Sequence, residues 1–185
     1  MKRAVFLDRD GTLLEEGNFV DRLDRLSFFP YSIDAVRTLN RAGFAVVVVT
    51  NQSGVARGLY PEDFVLESHK HIDMQLAAAG ARVDGYYYCP HHPEGSVAAL
   101  RCECECRKPK PGQFLRAASE LDLDLPRSFA VGDRWKDIEA AEAVGARGIL
   151  VRTGYGRGAE AERPGGTAAV ADNLIAGVSW ILRHA

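Results

Sequence analysis

A chain of 185 residues with 23 Lys+Arg against 25 Asp+Glu has a formal net charge of −2, and one domain of that length can bury roughly 70% of its unfolded surface. Hydrophobic residues at 46% and charged residues at 26% exclude a disordered or fibrous chain, and the lack of a basic excess argues against a nucleic-acid binder. No apolar run approaches the roughly 18 residues of a membrane span, and Met1-Lys2-Arg3-Ala4-Val5-Phe6-Leu7-Asp8 reaches an acid too early for a signal peptide. A cytoplasmic protein with no membrane partner is expected.

In chain order, apolar blocks alternate with segments of helical spacing. The blocks Ala4–Leu7, Phe44–Val49, Ser128–Val131 and Gly148–Val151 are continuous rather than alternating, as strands buried on both faces of a parallel sheet are. Tyr31–Ala42 sets Ile33, Val36 and Leu39 on one face and stops at Gly43. Pro61–Ala79 opens with proline at a first helical position and ends at Gly80. Gln113–Leu121, Lys136–Val144 and Asn173–Arg183 complete the helices. Glu15–Pro30 reads as a loop after the first strand, Cys89–Gly112 as an unusually long connection, and Gly154–Gly166 as a glycine-rich mobile tail. The pattern predicts one α/β domain with a mainly parallel sheet and helices on both faces.

Ligands of such sheets bind beyond the carboxyl ends of the strands, and there the chemistry collects. The first strand is followed by Asp8-Arg9-Asp10-Gly11-Thr12, the second by Thr50-Asn51-Gln52-Ser53-Gly54, the third by Gly132-Asp133-Arg134-Trp135-Lys136-Asp137. Asp8, Asp10, Asp133 and Asp137 would repel one another without a cation, and hard oxygen ligands with room for water suit Mg²⁺. A metal beside a spare carboxylate suits phosphoryl transfer. Aspartate can be the nucleophile, and a second aspartate two residues on can serve as acid and base. The Thr50 hydroxyl and its neighbouring amides can hold a phosphate, and Lys108 adds a fixed positive charge. Taken singly, each of these is an ordinary turn, helix cap or surface lysine; their shared position just past apolar strands carries the argument.

All four cysteines lie between Cys89 and Cys106. Cys89-Pro90-His91 and Cys104-Glu105-Cys106 bracket the 12 residues His92–Glu103, and three thiolates with one imidazole make a closed, structural zinc site. Spacing alone lets Cys102 replace Cys104 or Cys106, and His92 replace His91. The loop ends at Arg107-Lys108-Pro109, so a zinc-stiffened loop would aim cations at the phosphate site. His69 and His71 read as surface or packing residues of their helix.

Phe6-Leu7-Asp8-Arg9-Asp10-Gly11-Thr12-Leu13, Val49-Thr50-Asn51-Gln52-Ser53-Gly54, Lys108-Pro109 and Gly132-Asp133-Arg134-Trp135-Lys136-Asp137 together resemble the four ordered motifs of the haloacid dehalogenase superfamily of phosphatases. The resemblance implies a Rossmann-like three-layer domain over residues 1–185, capless, with a zinc loop at about 89–106. It implies Asp8 as nucleophile, Asp10 as acid/base, and Thr50 and Lys108 at the phosphate. It implies Mg²⁺ on Asp8, the Asp10 carbonyl and Asp133, with Asp137 supporting from behind. Cys-Pro-His-His-Pro-Glu-Gly-Ser followed by Cys-x-Cys-Arg-Lys-Pro is similar to the zinc-loop branch, which selects Cys89, His91, Cys104 and Cys106 as ligands and leaves Cys102 an extra thiol. Glu16, Gly17, Asn18, Phe19, Asn51, Gln52, Ser53, Arg107 and Arg134 would contact substrate. Asn51–Gly58 is closer to the heptose-bisphosphate enzymes of that branch than to its histidinol-phosphate enzymes. The resemblance therefore implies removal of the 7-phosphate from D-glycero-D-manno-heptose 1,7-bisphosphate, in making activated heptose for surface polysaccharide. The alternatives are a histidinol-phosphate phosphatase, a phospho-receiver module and a zinc-organised binding domain without activity. A monomer is the simplest expectation.

Overall fold

The computed structural model describes residues 1–163 and 169–185. Six strands form one sheet in the order β3-β2-β1-β4-β5-β6: β1 Ala4–Leu7, β2 Ala45–Asn51, β3 Gly85–Cys89, β4 Phe129–Gly132, β5 Arg147–Val151 and β6 Ala169–Ala171. Every neighbouring pair is parallel. The helices are α1 Ser32–Arg41, α2 Glu62–Ala78, α3 Gly112–Leu121, α4 Trp135–Glu142, α5 Gly156–Glu162 and α6 Leu174–His184.

The continuous apolar blocks are explained by burial on both faces. Val5, Leu7, Val46, Val48, Val131 and Ile149 pack against α1, α2 and α6. The alternate residues Ala4, Phe6, Val47, Val49 and Ala130 pack against Phe114 and Ala117 of α3 and Ala140 and Ala141 of α4. Strand order reverses between β1 and β4, and that switch point opens the crevice where such sheets bind ligands. Leu7 is in register with Val48 on one side and Val131 on the other, so Asp8, Thr50 and Asp133 leave the sheet at nearly one level.

Three features differ from expectation. β3, Gly85-Tyr86-Tyr87-Tyr88-Cys89, lacks the aliphatic block of its neighbours because its tyrosines send their hydroxyls outward, to Asp73 at 2.8 Å, Glu120 at 2.9 Å and Glu62 at 2.8 Å. β6 is only three residues of alanine and valine, too short for its pattern to register. Gly154–Gly166 is not a mobile tail as far as it is described. Gly156–Glu162 is helical, with Ala159 packed on Ile138 and Leu150 and the Trp135 indole donating to the Ala159 carbonyl; residues 164–166 lie outside the described residues. The 15–30 segment is a loop pinned by a bridge between Leu14 and Phe28 and a 3-10 turn at Leu23–Arg25. It carries no inserted domain.

Candidate active site

The end of β1 delivers Asp8, and the end of β4 delivers Asp133 and, one turn into α4, Asp137. Oxygens of these three carboxylates lie within 4.8 Å of one another. Lys108 comes from the long connection and is almost wholly buried; its ammonium donates to Asp8 Oδ1 at 2.8 Å and the Val49 carbonyl at 2.7 Å. It also forms an ion pair with Asp137 Oδ1 at 2.7 Å, off the angle of a hydrogen bond. Burial alone would push the Lys108 ammonium down, but Asp137 and Asp8 outweigh it and hold the lysine firmly protonated.

One lysine does not satisfy three buried acids. Burial, with repulsion from Asp137 and Asp10 added, raises Asp8 to about 6 in spite of Lys108. Burial, then Asp8 and Asp137, raises Asp133 to about 8. Acids so strained toward protonation, sharing oxygens at coordinating distance, fit a hard divalent cation. The backbone is shaped around this cluster. Gly11, at φ +85°, and Gly154, at φ +53°, both press on Asp133, where an added Cβ at either would stand 2.2 Å from Asp133 Oδ2. The Tyr155 amide donates to the same oxygen at 2.8 Å.

Asp10 is oriented separately. Gln52 Nε2 donates to Asp10 Oδ2 at 2.9 Å and to Thr50 Oγ1 at 2.8 Å. Arg9, nearly all buried, reaches Asp10 Oδ2 at 3.0 Å, Gln52 Oε1 at 3.0 Å and Ser68 Oγ at 2.9 Å. Tyr60 closes the ring by donating to Gln52 Oε1 at 2.9 Å. Arg9, Tyr60 and Ser68 were not singled out from sequence. Arg9 sits inside the first motif and could have been suspected there, whereas nothing local in the chain points to the other two.

The thiol cluster brings its four donor atoms within 4.8 Å of one another. Four of the six separations are Cys89–Cys104 3.5 Å, Cys104–Cys106 3.3 Å, Cys106–His91 Nδ1 3.4 Å and Cys89–His91 Nδ1 3.7 Å. Tetrahedral zinc bonds of about 2.3 Å to sulfur and 2.0 Å to nitrogen imply edges of roughly 3.5–3.8 Å, so the donor set fits. The alternatives left open by spacing fall elsewhere: Cys102 is exposed outside the cluster, and His92 faces Arg57 Nη2 at 3.0 Å and accepts from the Glu94 amide at 3.1 Å. Burial pushes the Cys89 thiol up, whereas contacts from Cys106 and Cys89 outweigh burial and lower Cys104. The loop is tied to the floor by Asn51, whose side chain accepts from the Lys108 amide at 3.1 Å and donates to its carbonyl at 3.0 Å. Gln113 Nε2 adds a bond to the Cys106 carbonyl at 2.8 Å.

Above the floor lies a cleft of about 250 Å³ lined by Asp8, Asp10, the Glu16–Phe19 loop, Thr50–Ser53, Arg107 and Arg134. Every residue expected at substrate therefore borders one cleft. Five of them use side-chain groups on the protein: Asn51 on Lys108, Gln52 on Asp10, Thr50, Arg9 and Tyr60, Glu16 on the Asn18 amide, Asn18 on the Tyr155 hydroxyl, and Arg107 on the His91 carbonyl. Six lining residues were not anticipated from sequence: Arg9, Val20, Arg57, Tyr60, Lys136 and Tyr155. Among the described residues none of Arg57, Arg107, Arg134 and Lys136 forms a salt bridge; Arg57 meets His92, Arg107 the His91 carbonyl and Arg134 the face of Tyr155, while Asp137 and Asp8 act on Lys136 and Arg134 acts on Asp133 electrostatically. The site thus gathers buried acids and cations without salt bridges around one cleft.

The HAD-hydrolase-like family model matches residues 105–176. A D-glycero-beta-D-manno-heptose-1,7-bisphosphate 7-phosphatase of Yersinia pestis is 48% identical over 161 residues, spanning 86% of this chain and 85% of that protein. The phosphatase of the same name from Escherichia coli strain K12 is 47% identical, spanning 86% and 84%. Among solved structures, a D,D-heptose 1,7-bisphosphate phosphatase from B. bronchiseptica complexed with magnesium and phosphate superposes with a TM-score of 0.88 at 35% identity, covering 99% of both chains. One from Burkholderia thailandensis gives 0.74 at 30% identity, covering 98% and 99%. Identity at this level across most of both sequences, on a fold that superposes end to end, makes the chain a member of the haloacid dehalogenase-like hydrolases.

Proposed function

We propose that this chain is a Mg²⁺-dependent phosphatase that removes the 7-phosphate from D-glycero-D-manno-heptose 1,7-bisphosphate. The observation that carries the reading is one cleft that combines the nucleophile, acid/base and cation-binding carboxylates with Arg57, Arg107, Arg134 and Lys136, none of which forms a salt bridge among the described residues. One phosphate fits the acidic floor, and a second needs its own cations, preferably the planar forks of arginine. The names of the curated relatives support the same substrate.

In this reading Asp8 attacks phosphorus and forms an aspartyl-phosphate while the sugar oxygen leaves. Asp10, held by Gln52 and Arg9, gives that oxygen a proton and later takes one from water. Lys108 and the Thr50 hydroxyl hold phosphoryl oxygens through both steps. Mg²⁺ held by Asp8, the Asp10 carbonyl and Asp133, with Asp137 behind, would neutralise phosphoryl charge as the anionic nucleophile approaches. A structural Zn²⁺ on Cys89, His91, Cys104 and Cys106 would fix the loop that supplies Arg107 and Lys108. The proposal extends to one phosphatase domain spanning residues 1–185, a monomer acting in the cytoplasm; no helix among the described residues is long and apolar enough to cross a membrane. Phosphate release with added Mg²⁺ tests it. The expected kcat/KM is highest on the heptose bisphosphate, and a higher value on histidinol phosphate would overturn it.

A further inference from the structure

We propose that Tyr155 is a positioning residue that sets the remote-anion end of the cleft: its ring carries the Arg134 guanidinium and its hydroxyl holds Asn18, so that a substrate with two phosphates is favoured over one with a single phosphate. The inference rests on the phosphatase reading above and adds to it a residue that directs specificity.

The backbone of Tyr155 is fixed to the metal-site acids. The Thr153 hydroxyl donates to the Gly11 carbonyl at 2.6 Å, and the Tyr155 amide donates to Asp133 Oδ2 at 2.8 Å. Gly154 between them sits so close to Asp133 and Gly11 that an added Cβ would collide with both, so the turn has no room to retreat. From this anchor the side chain projects along the wall and remains 41% exposed.

Two contacts then follow. Arg134 Cζ lies 3.6 Å from the ring centroid of Tyr155, well inside the roughly 6 Å range of a cation–π contact. A carboxylate in that place would also hold the arginine, but would neutralise it and occupy its fork. An aromatic face fixes the guanidinium while leaving its charge and N–H donors for an incoming phosphate. At its far end the Tyr155 hydroxyl donates to Asn18 Oδ1 at 2.9 Å. Asn18 and Phe19 are held at φ 49° and 58°, a conformation few side chains adopt unaided, and the Asn18 amide donates to Glu16 Oε1 at 2.8 Å. One side chain therefore joins the metal-site turn, the free arginine of the wall, and the loop that closes the cleft.

The experiment compares Tyr155→Leu, Tyr155→Phe, Arg134→Met and the Tyr155→Leu/Arg134→Met double variant with the parent chain in Mg²⁺ buffer. Each is assayed on D-glycero-D-manno-heptose 1,7-bisphosphate and on p-nitrophenyl phosphate, which has no second anion. Tyr155→Leu keeps the backbone bond to Asp133, and it is expected to lower the ratio of the two kcat/KM values about tenfold, through KM for the bisphosphate. Tyr155→Phe keeps the ring and is expected to lower the ratio no more than about threefold. The double variant is expected to match Arg134→Met alone. An unchanged ratio in Tyr155→Leu, an equal fall in kcat on both substrates, or effects that multiply in the double variant would each overturn the inference. A parent chain that does not prefer the bisphosphate would overturn the substrate reading and this inference with it. A parent that does prefer it, beside a Tyr155→Leu variant that prefers it equally, would overturn the inference alone.

Discussion

Truncating Asp137 to alanine should destabilise the fold more than a substitution of one small side chain usually does, because it removes one of the two carboxylates that hold a buried cation. The Lys108 ammonium has no solvent exposure and divides its charge between Asp8 at 2.8 Å and Asp137 at 2.7 Å. Removing one member of a buried ion pair costs about 3–5 kcal/mol when the other charge is left alone; here Asp8 and the Val49 carbonyl stay on the ammonium and Asp8 and Asp133 lose a repelling neighbour, so about half of that is expected. Asp137 Oδ2 also accepts the Arg134 amide at 3.1 Å at the start of α4, a helix-capping bond whose loss adds about 1 kcal/mol. The expected total is about 2–4 kcal/mol, or a fall in Tm of about 4–16 °C for a chain of this size. Urea and thermal unfolding at fixed zinc and without Mg²⁺ would measure it. Lys108→Met removes the cation that Asp137 partners, so the double variant should be less destabilised than the sum of the singles by at least about 1 kcal/mol. A loss below about 1 kcal/mol in Asp137→Ala, or additivity within about 0.5 kcal/mol, would show that Lys108 does not depend on Asp137, and the electrostatic account of the floor would fail.

Asp10→Asn should lower kcat on the heptose bisphosphate by about 10²–10⁴-fold while the fold survives; steady-state kinetics would check this, and a full-rate variant would remove Asp10 from the proton-transfer role. Metal analysis should find one zinc per chain. Stripping it should lower both Tm and activity, Cys106→Ser should do the same, and Cys102→Ser should do neither. His69 gives a pH signature. Burial and then Arg9 lower its imidazole to about 3, below the ordinary 6.5 of an unfolded chain. The unfolded chain therefore takes up the proton first, so this contribution is intact above about pH 6.5 and declines as pH falls toward 3, by about 2 kcal/mol at pH 5. His69→Phe, whose ring can keep the stack on Tyr86, should flatten that part of the stability–pH curve relative to the parent chain. Parallel curves would refute the assignment.

What could be read in the sequence depended on whether its cause was local. β1, β2, β4 and β5 were legible because strands covered on both faces have no polar positions to interrupt them. Asp8, Asp10, Asp133 and Asp137 were legible because each follows such a strand within a few residues. β3 escaped because its tyrosines bury their rings while their hydroxyls reach carboxylates on α2 and α3, so the composition looks polar where the packing is not. Asn51 and Gln52 show the opposite limit. Their position at a strand end correctly put them beside the cleft, but which partner each side chain takes depends on Lys108, 57 residues away, and Arg9, 43 residues away. Tyr155 was missed because glycines around it suggested mobility, whereas Gly154 is required by the approach of Asp133. Glycine there marks close packing, and close packing is invisible to composition.

The near-zero net charge of the chain is the least informative number about the site, and the geometry explains why. Arg9 offsets Asp10 and Lys108 offsets part of the Asp8 and Asp137 charge, and the acids and cations that remain around the cleft cancel in the total but not in the field that a ligand meets. Asp8, Asp133 and Asp137 outnumber Lys108 and would repel a phosphate, whereas Arg57, Arg107, Arg134 and Lys136 would attract one. In the proposed reading a divalent cation held by Asp8 and Asp133 would reverse the sign at the acids, and one phosphate of a bisphosphate would then face Asp8 while the other meets the cations. Tyr155 is bonded to Asp133 through its amide and carries Arg134 on its ring, so one residue of the β5–α5 turn joins the cation-binding acids to a cation of the cleft.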